Sequence, residues 1–141
     1  MSDLPMSDLK AVLPHPTNVS KPFWDACNRG KLLLPHCEAC DRLFYYPRVA
    51  CPHCGSDRLG WHRSAGTGTV FTFSHVQLSF FGKAWETQLP YTVVLVDLDE
   101  GVRFLSRLIG DDRDRVTIGA PVACAFRTVE GQSLPFFRLV G

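Results

Sequence analysis

Two Cys-x-x-Cys pairs, Cys37/Cys40 and Cys51/Cys54, with ten residues between them, constrain this chain more than any other feature. Each spacing is the reach of one tight turn, so the two thiolates of a pair can face one ion. Two such turns brought together offer four sulfurs in a tetrahedron. The second turn reads Cys51-Pro52-His53-Cys54-Gly55, where Gly55 can take the positive φ that lets backbone amides face the sulfurs. In the first turn Asp41 stands where such a glycine is usual, and a short polar residue tolerates that conformation. The spacing predicts one closed, structural Zn site per chain, with Cys37, Cys40, Cys51 and Cys54 as ligands. Four protein ligands leave no open position for chemistry. The adjacent His36 and His53 are alternative ligands, and two disulfides or four buried thiols are alternatives to a metal. Disulfide frameworks suit small secreted domains. The first twenty residues, with Asp3, Asp8, Pro5, Pro14 and Pro16, lack the basic and apolar regions of a signal peptide. A reducing compartment, the cytoplasm, is expected.

The rest of the chain divides around this core motif. Residues 1–19, rich in proline and polar groups and with Met-Ser-Asp-Leu repeated, read as a flexible leader. Residues 20–30 predict a short helix, with Ser20 as N-cap, Pro22 in the first turn and Gly30 as the C′ stop; Phe23, Trp24, Ala26 and Cys27 crowd one side. Residues 31–63 form a rubredoxin-like zinc ribbon, in which short β-prone runs such as Leu32-Leu33-Leu34 and Leu59-Gly60-Trp61-His62 flank the cysteine turns. So short a segment buries too little apolar surface to fold alone, and metal binding makes up the deficit.

From residue 64 to 141 the pattern is β. Val70–Leu78, Tyr91–Leu98, Val102–Ile109, Pro121–Val129 and Leu134–Val140 read as five strands, with turns at Asp99-Glu100-Gly101 and Glu130-Gly131-Gln132. A five-stranded OB-fold barrel is the economical closure because it removes sheet edges; a small open sandwich is the alternative. Phe71, Phe73, Phe126 and Phe136 are assigned to its core. The fold class is therefore mainly β: N-terminal helix, zinc ribbon and C-terminal OB barrel.

Charge decides among function classes. Of 141 residues, 15 are Lys or Arg and 14 Asp or Glu, a net charge of +1 that gives no broad attraction to nucleic acid or an anionic membrane. No apolar run approaches the roughly 20 residues of a membrane-spanning helix. In residues 64–141 acidic side chains slightly outnumber basic ones, whereas a groove for single strands should be electropositive. No nucleophile elbow, phosphate loop or dinucleotide fingerprint is present. Asp97, Asp99 and Glu100 read as a solvated hairpin end, Asp111 to Arg115 as a solvated loop, and His75 as an ordinary strand residue. Cys27 and Cys124 read as buried thiols. Arg103 and Arg107 fall on one face of the third strand, to meet an anionic ligand or pair with acidic neighbours. The segment 78–90 is too long for a tight hairpin and oddly apolar, so Phe80, Phe81, Trp85 and Leu89 are candidates for a partner surface or acyl passage, or for a lid on the core.

Trp24, Arg29-Gly30-Lys31-Leu32, the two cysteine pairs, Gly66-x-Gly68-Thr69-Val70-Phe71, Pro90-Tyr91, Val96 to Gly101 and Ile118-Gly119-x-Pro121-Val122 occur in a specific order. In that order the chain, from about Ser20 onward, resembles the zinc-ribbon plus OB-fold family formerly known as a domain of unknown function and associated with acyl-CoA enzymes. The resemblance implies a small, non-catalytic accessory subunit that docks on a thiolase-superfamily or related hydratase or aldolase subunit. It also implies a hetero-oligomer in which a coenzyme A ester is held near the partner interface. A stand-alone acyl-CoA binder and a single-stranded nucleic-acid binder are the alternatives.

Overall fold

The computed structural model describes residues 13–78, 86 and 88–140. Helix α1 (Lys21–Cys27) opens the described chain, and the ribbon strands β1 (Leu33–Cys37) and β2 (Leu59–Arg63) follow. The barrel strands are β3 (Thr67–Val76), β4 (Tyr91–Leu98), β5 (Arg103–Ile109), β6 (Pro121–Val129) and β7 (Gln132–Leu139).

The helix starts differently from the sequence expectation. Ser20 is in the αR region and makes no side-chain cap bond to the helix. The cap lies one turn earlier, at Thr17. Ser20 N–H donates to Thr17 Oγ1 at 3.2 Å, Thr17 N–H donates to Ser20 Oγ at 2.9 Å, and Lys21 N–H reaches Thr17 O at 2.8 Å. This reciprocal pair is a capping box with serine in the glutamate position. At the other end Gly30 has φ +71°, and the bonds Gly30 N–H to Cys27 O and Lys31 N–H to Ala26 O close a Schellman turn. A helix this short has no stability of its own. Phe23, Ala26 and Cys27 are buried, and Phe23 packs on Trp24, Tyr45 and Phe104 at centroid distances of 4.9, 5.7 and 6.3 Å. Within the expected leader, residues 1–12 lie outside the described residues, and Leu13 packs against Val129 and Leu134.

The five barrel strands close in the order β3-β4-β5-β7-β6, the circuit expected of an OB fold. All pairings are antiparallel except β5 with β7, which run parallel over only Leu108↔Phe137 and Ile109↔Arg138. Val70, Val94, Val96, Leu98, Phe104, Leu108, Val122 and Phe137 fill the interior, and Phe23, Leu32 and Leu34 join the same cluster. Helix, ribbon base and barrel thus share one core. Glu130 (φ 51°) and Gly131 (φ 82°) make a two-residue turn between β6 and β7, one residue shorter than the sequence suggests. Gly68 faces β4 so closely that a Cβ there would lie 2.3 Å from the Asp97 carbonyl oxygen; only glycine fits.

Two core assignments are corrected. Between Val70↔Val96 and Thr72↔Leu95 the β3 register slips by one residue, so Phe71 is the extra residue of a bulge and lies 43% exposed. In β7 it is Phe137, fully buried, that faces inward, and its neighbour Phe136 faces outward because successive strand residues alternate. Phe73 and Phe126 are partly buried against the core as expected.

The turn Asp99-Glu100-Gly101 is also not simply solvated. Glu100 accepts hydrogen bonds from Ser64 Oγ (2.9 Å) and Ala65 N–H (2.8 Å), and Asp99 accepts one from Thr67 Oγ1. The barrel turn thereby holds the segment that leaves the ribbon.

Candidate metal centre

The two cysteine turns repeat the same backbone pattern. Asp41 N–H bonds to Cys37 O and Cys37 N–H to Arg42 O, each at 2.8 Å; Gly55 N–H bonds to Cys51 O and Cys51 N–H to Ser56 O, also each at 2.8 Å. Both turns need a left-handed residue after the second cysteine. Asp41 supplies it at φ 61° and Gly55 at φ 81°, so aspartate serves in the first turn as the sequence suggests.

The turns face each other and bring four sulfurs together. Cys37 Sγ lies 3.6 Å from Cys54 Sγ and Cys40 Sγ 3.7 Å from Cys51 Sγ, and all four atoms fall within 4.8 Å of one another. A Zn–S bond of about 2.3 Å gives a tetrahedron with edges of about 3.8 Å, so the cage matches that ion. A disulfide requires about 2.05 Å between sulfurs, well short of these separations. All six cysteines are free thiols, and the close sulfur pairs join the two turns. In the absence of an ion the four thiols differ: the backbone N–H of Cys40 lowers the Cys37 thiol to about 7, whereas burial pushes Cys40 up to about 12. Cys37, Phe44 and Cys51 form a small cluster of their own, with Cys40 and Leu59 against it. His36 and His53 turn elsewhere: His36 Nε2 meets Asp41 Oδ1 at 2.6 Å, and His53 Nδ1 lies 3.5 Å from Arg42 Nη1. Among the described residues these four cysteines are the group positioned to bind a metal ion.

Elsewhere the candidate residues separate. Cys27 is buried and Cys124 half-buried, and burial pushes both thiols up to about 12, so neither is a ready nucleophile. His75 Nδ1 bonds to Thr92 Oγ1 across the β3–β4 pair at 2.8 Å. Arg103 and Arg107 share the outer side of β5 but not its environment. Arg103 is exposed, pairs with Asp97 through a 2.8 Å bond, and lies 3.4 Å over the Phe71 ring. Arg107 is only 8% exposed; its guanidinium lies 4.6 Å from the centroid of Tyr91, and Nη1 donates to Gln88 Oε1 at 3.3 Å. Strand periodicity could not separate them, because the burial of Arg107 comes from neighbours distant in sequence. Phe80, Phe81 and Trp85 lie outside the described residues, and Leu89 is half-buried. The apolar run Tyr91–Leu98 suits a strand covered on both faces, but on its outer face Val93 and Leu95 are only half-buried, beside Leu105, which is 57% exposed. Alternation against the buried Phe104 is the signal that finds this face.

Residues 24–60 match the family model of the ChsH2 rubredoxin-like zinc ribbon domain, and residues 61–127 match that of the ChsH2 C-terminal OB-fold domain. A DUF35 domain-containing scaffold protein of Methanothermobacter thermautotrophicus is 30% identical over 102 residues, covering 72% of this chain and 75% of the relative. The chain belongs to the ChsH2/DUF35 family. The family resemblance read from the order of motifs is borne out. Family members differ in length. A probable enoyl-CoA hydratase alpha subunit of Thermomonospora curvata is 35% identical over 135 residues; the match covers 92% of this chain but 40% of that protein. The present ChsH2/DUF35 chain therefore spans less than half of that relative. Among solved structures it is similar to the Ltp2-ChsH2(DUF35) aldolase, with a TM-score of 0.75 and 31% identity over 90% of this chain and 98% of the matched one. No helix among the described residues is long and apolar enough to cross a membrane.

Proposed function

We propose that this chain is a non-catalytic accessory subunit of an acyl-CoA-processing complex, docking on a catalytic subunit of the thiolase superfamily and helping to shape the acyl-CoA site at the interface. The observation that carries this reading is the similarity over 98% of a chain of the Ltp2-ChsH2(DUF35) aldolase structure. That a hydratase alpha subunit contains a matching stretch within a chain more than twice as long supports it, since the same module is there joined to further polypeptide. The outer β4–β5 face adds physical support: an exposed apolar residue between half-buried ones suits a surface that a partner covers. Arg103 on that face is already neutralised by Asp97, which favours a protein partner over a nucleic-acid strand.

In this reading the metal centre is architectural. Cys37, Cys40, Cys51 and Cys54 hold one Zn as thiolates, and the ion fixes the ribbon in the orientation the partner meets. Purification of the untagged chain from its native source, followed by mass spectrometry, tests the partner. Stoichiometric recovery of a thiolase-type enzyme is expected. Recovery as a monomer that binds acyl-CoA unaided, or with nucleic acid, overturns the reading. Leu105→Glu should weaken the complex at least tenfold while leaving Zn content unchanged.

A further inference from the structure

The ribbon has one uncovered edge. Strands β1 and β2 pair antiparallel, with Leu34 opposite His62 and His36 opposite Gly60. Ser64 N–H donates to Leu32 O at 2.8 Å in the same register. The even-numbered residues therefore exchange the ladder bonds, and the odd-numbered ones point their N–H and C=O groups away from the partner strand. On β1 the outward groups are used: Phe44 N–H donates to Pro35 O at 3.1 Å and Cys37 N–H to Arg42 O at 2.8 Å. On β2 they are not. Among the described residues no hydrogen bond reaches the backbone N–H or C=O of Trp61 or Arg63, and the sheet ends at this strand.

The side chains along this edge set what it can take. Trp61, 38% exposed, stands where Val19, Pro22, Pro35, Pro47 and Arg48 border a hollow of about 190 Å³. Arg63 falls on the same face by strand alternation. Arg48 and Arg63 are exposed, and among the described residues neither joins an ion pair. The Glu38 carboxylate lies on the opposite face, over Gly60. A strand laid on β2 would thus meet donors, acceptors and positive charge together. A polypeptide backbone supplies donors and acceptors at the matching repeat of about 3.3 Å per residue. A phosphate backbone offers acceptors alone and leaves the β2 carbonyls unmet. A second copy of this chain would bring another Arg48 and Arg63 to the same face, and like charges oppose that pairing. Carboxylates suit both arginines, because the guanidinium fork matches them.

We propose that the outer edge of β2 docks an extended acidic segment of a partner protein, which adds as a third ribbon strand. Its carboxylates meet Arg48 and Arg63, and an apolar side chain enters the hollow beside Trp61. The mode is strand addition, in which main-chain bonds hold the segment and alternate side chains select it. The site shares no residue with the outer β4–β5 face and stands whichever enzyme covers that face.

The test is amide hydrogen exchange and amide-shift titration of the zinc-loaded full chain with a short end-capped peptide of alternating glutamate and valine. In the free chain the Trp61 and Arg63 amides should exchange at least roughly tenfold faster than those of Leu34 and His62, and saturating peptide should slow them. Three controls should each bind at least roughly tenfold more weakly: the lysine-for-glutamate peptide, the acidic peptide N-methylated along its backbone, and a short oligothymidylate. Arg63→Gln should weaken acidic-peptide binding about threefold. Arg63→Pro also removes the outward N–H but no ladder bond, so it should weaken binding at least roughly tenfold with Zn content unchanged. Should Arg63→Pro fail to fold, the N-methylated peptide decides the same point. Trp61 and Arg63 amides already protected in the free chain by a dimer seen in sedimentation would overturn the proposal. Equal affinity for acidic and basic peptides, tighter binding of oligothymidylate, or no binding of the acidic peptide at about 1 mM would do so as well.

Discussion

The ribbon and the barrel solve the same problem, too little apolar surface for a stable fold, by opposite means. In the ribbon the interior is sulfur: Cys37 and Cys51 are buried with Phe44, and β1–β2 is a two-stranded ladder that would be marginal alone. In the barrel the interior is mainly hydrocarbon, from Val70 and Val94 through Phe104 to Phe137, and among the described residues no cluster positioned to hold a metal lies there. The difference teaches where each depends on chemistry outside the polypeptide. Ribbon stability should follow metal and thiolate, whereas barrel stability should follow side-chain volume.

The strongest way to break this comparison is to remove the metal. Chelation, or Cys51→Ser, should remove most of the roughly 10–16 kcal/mol that structural Zn supplies in small finger domains. Amides of residues 37–58 should then lose hydrogen-exchange protection while β3–β7 retain theirs. Simultaneous loss of protection in both regions would show that the ribbon is part of the barrel's cooperative unit. Leu32 and Leu34 at the ribbon base lie in the barrel cluster and are the residues through which such coupling would pass.

The converse experiment is Phe104→Ala. Phe104 is 1% exposed, stacks on Tyr45 at 4.0 Å between centroids and meets Phe137 at 5.8 Å. Truncation should cost about 3–5 kcal/mol of unfolding free energy by denaturant titration. Zinc stoichiometry at low denaturant should stay at one per chain. Zinc release in step with the loss of stability would mean that the barrel core, rather than the cysteine turns, sets the site.

Glu100→Gln probes the joint between the two regions. The carboxylate accepts from both Ser64 Oγ and Ala65 N–H, and charge-assisted bonds of this kind are worth about 1.5–3 kcal/mol where they are shielded from water. Glu100 is only partly buried, and glutamine keeps one acceptor, so a loss of about 1 kcal/mol is expected. The readout is faster exchange at residues 64–66 without change in Zn affinity. An unchanged exchange rate would show that the joint is held by packing alone.

These comparisons also explain what was legible in the sequence. The metal cage was, because ligand spacing within each turn is a local property and Asp41 and Gly55 carry the required backbone freedom. The strands were, because β-branched runs and Gly-containing turns are local too. Which face of a strand points inward was not always legible: one extra residue at Phe71 moves the parity of β3, and only the pairing partner on β4 fixes where that residue falls. The burial of Arg107 and the role of Glu100 depend on Tyr91, Phe136 and Ser64, which no spacing rule connects to them.

The smallest expected effect lies at the helix that both regions share. Ser20 followed by Pro22 imitates an N-cap so well that it conceals the true one, yet the bonds run between Thr17 and Ser20. Thr17→Ala removes the acceptor for Ser20 N–H and should cost about 1 kcal/mol, as loss of an N-cap side chain does. Ser20→Ala should cost a similar amount, because it removes the reciprocal bond to Thr17 N–H. The double substitution should cost clearly less than the sum, since either single change already breaks the pair. Additive losses in thermal unfolding would show two independent bonds instead of a box. A loss confined to Ser20→Ala would return the cap to Ser20. Because α1 packs Phe23 onto Phe104 and Tyr45, this loss should appear in the barrel transition and leave the zinc site untouched.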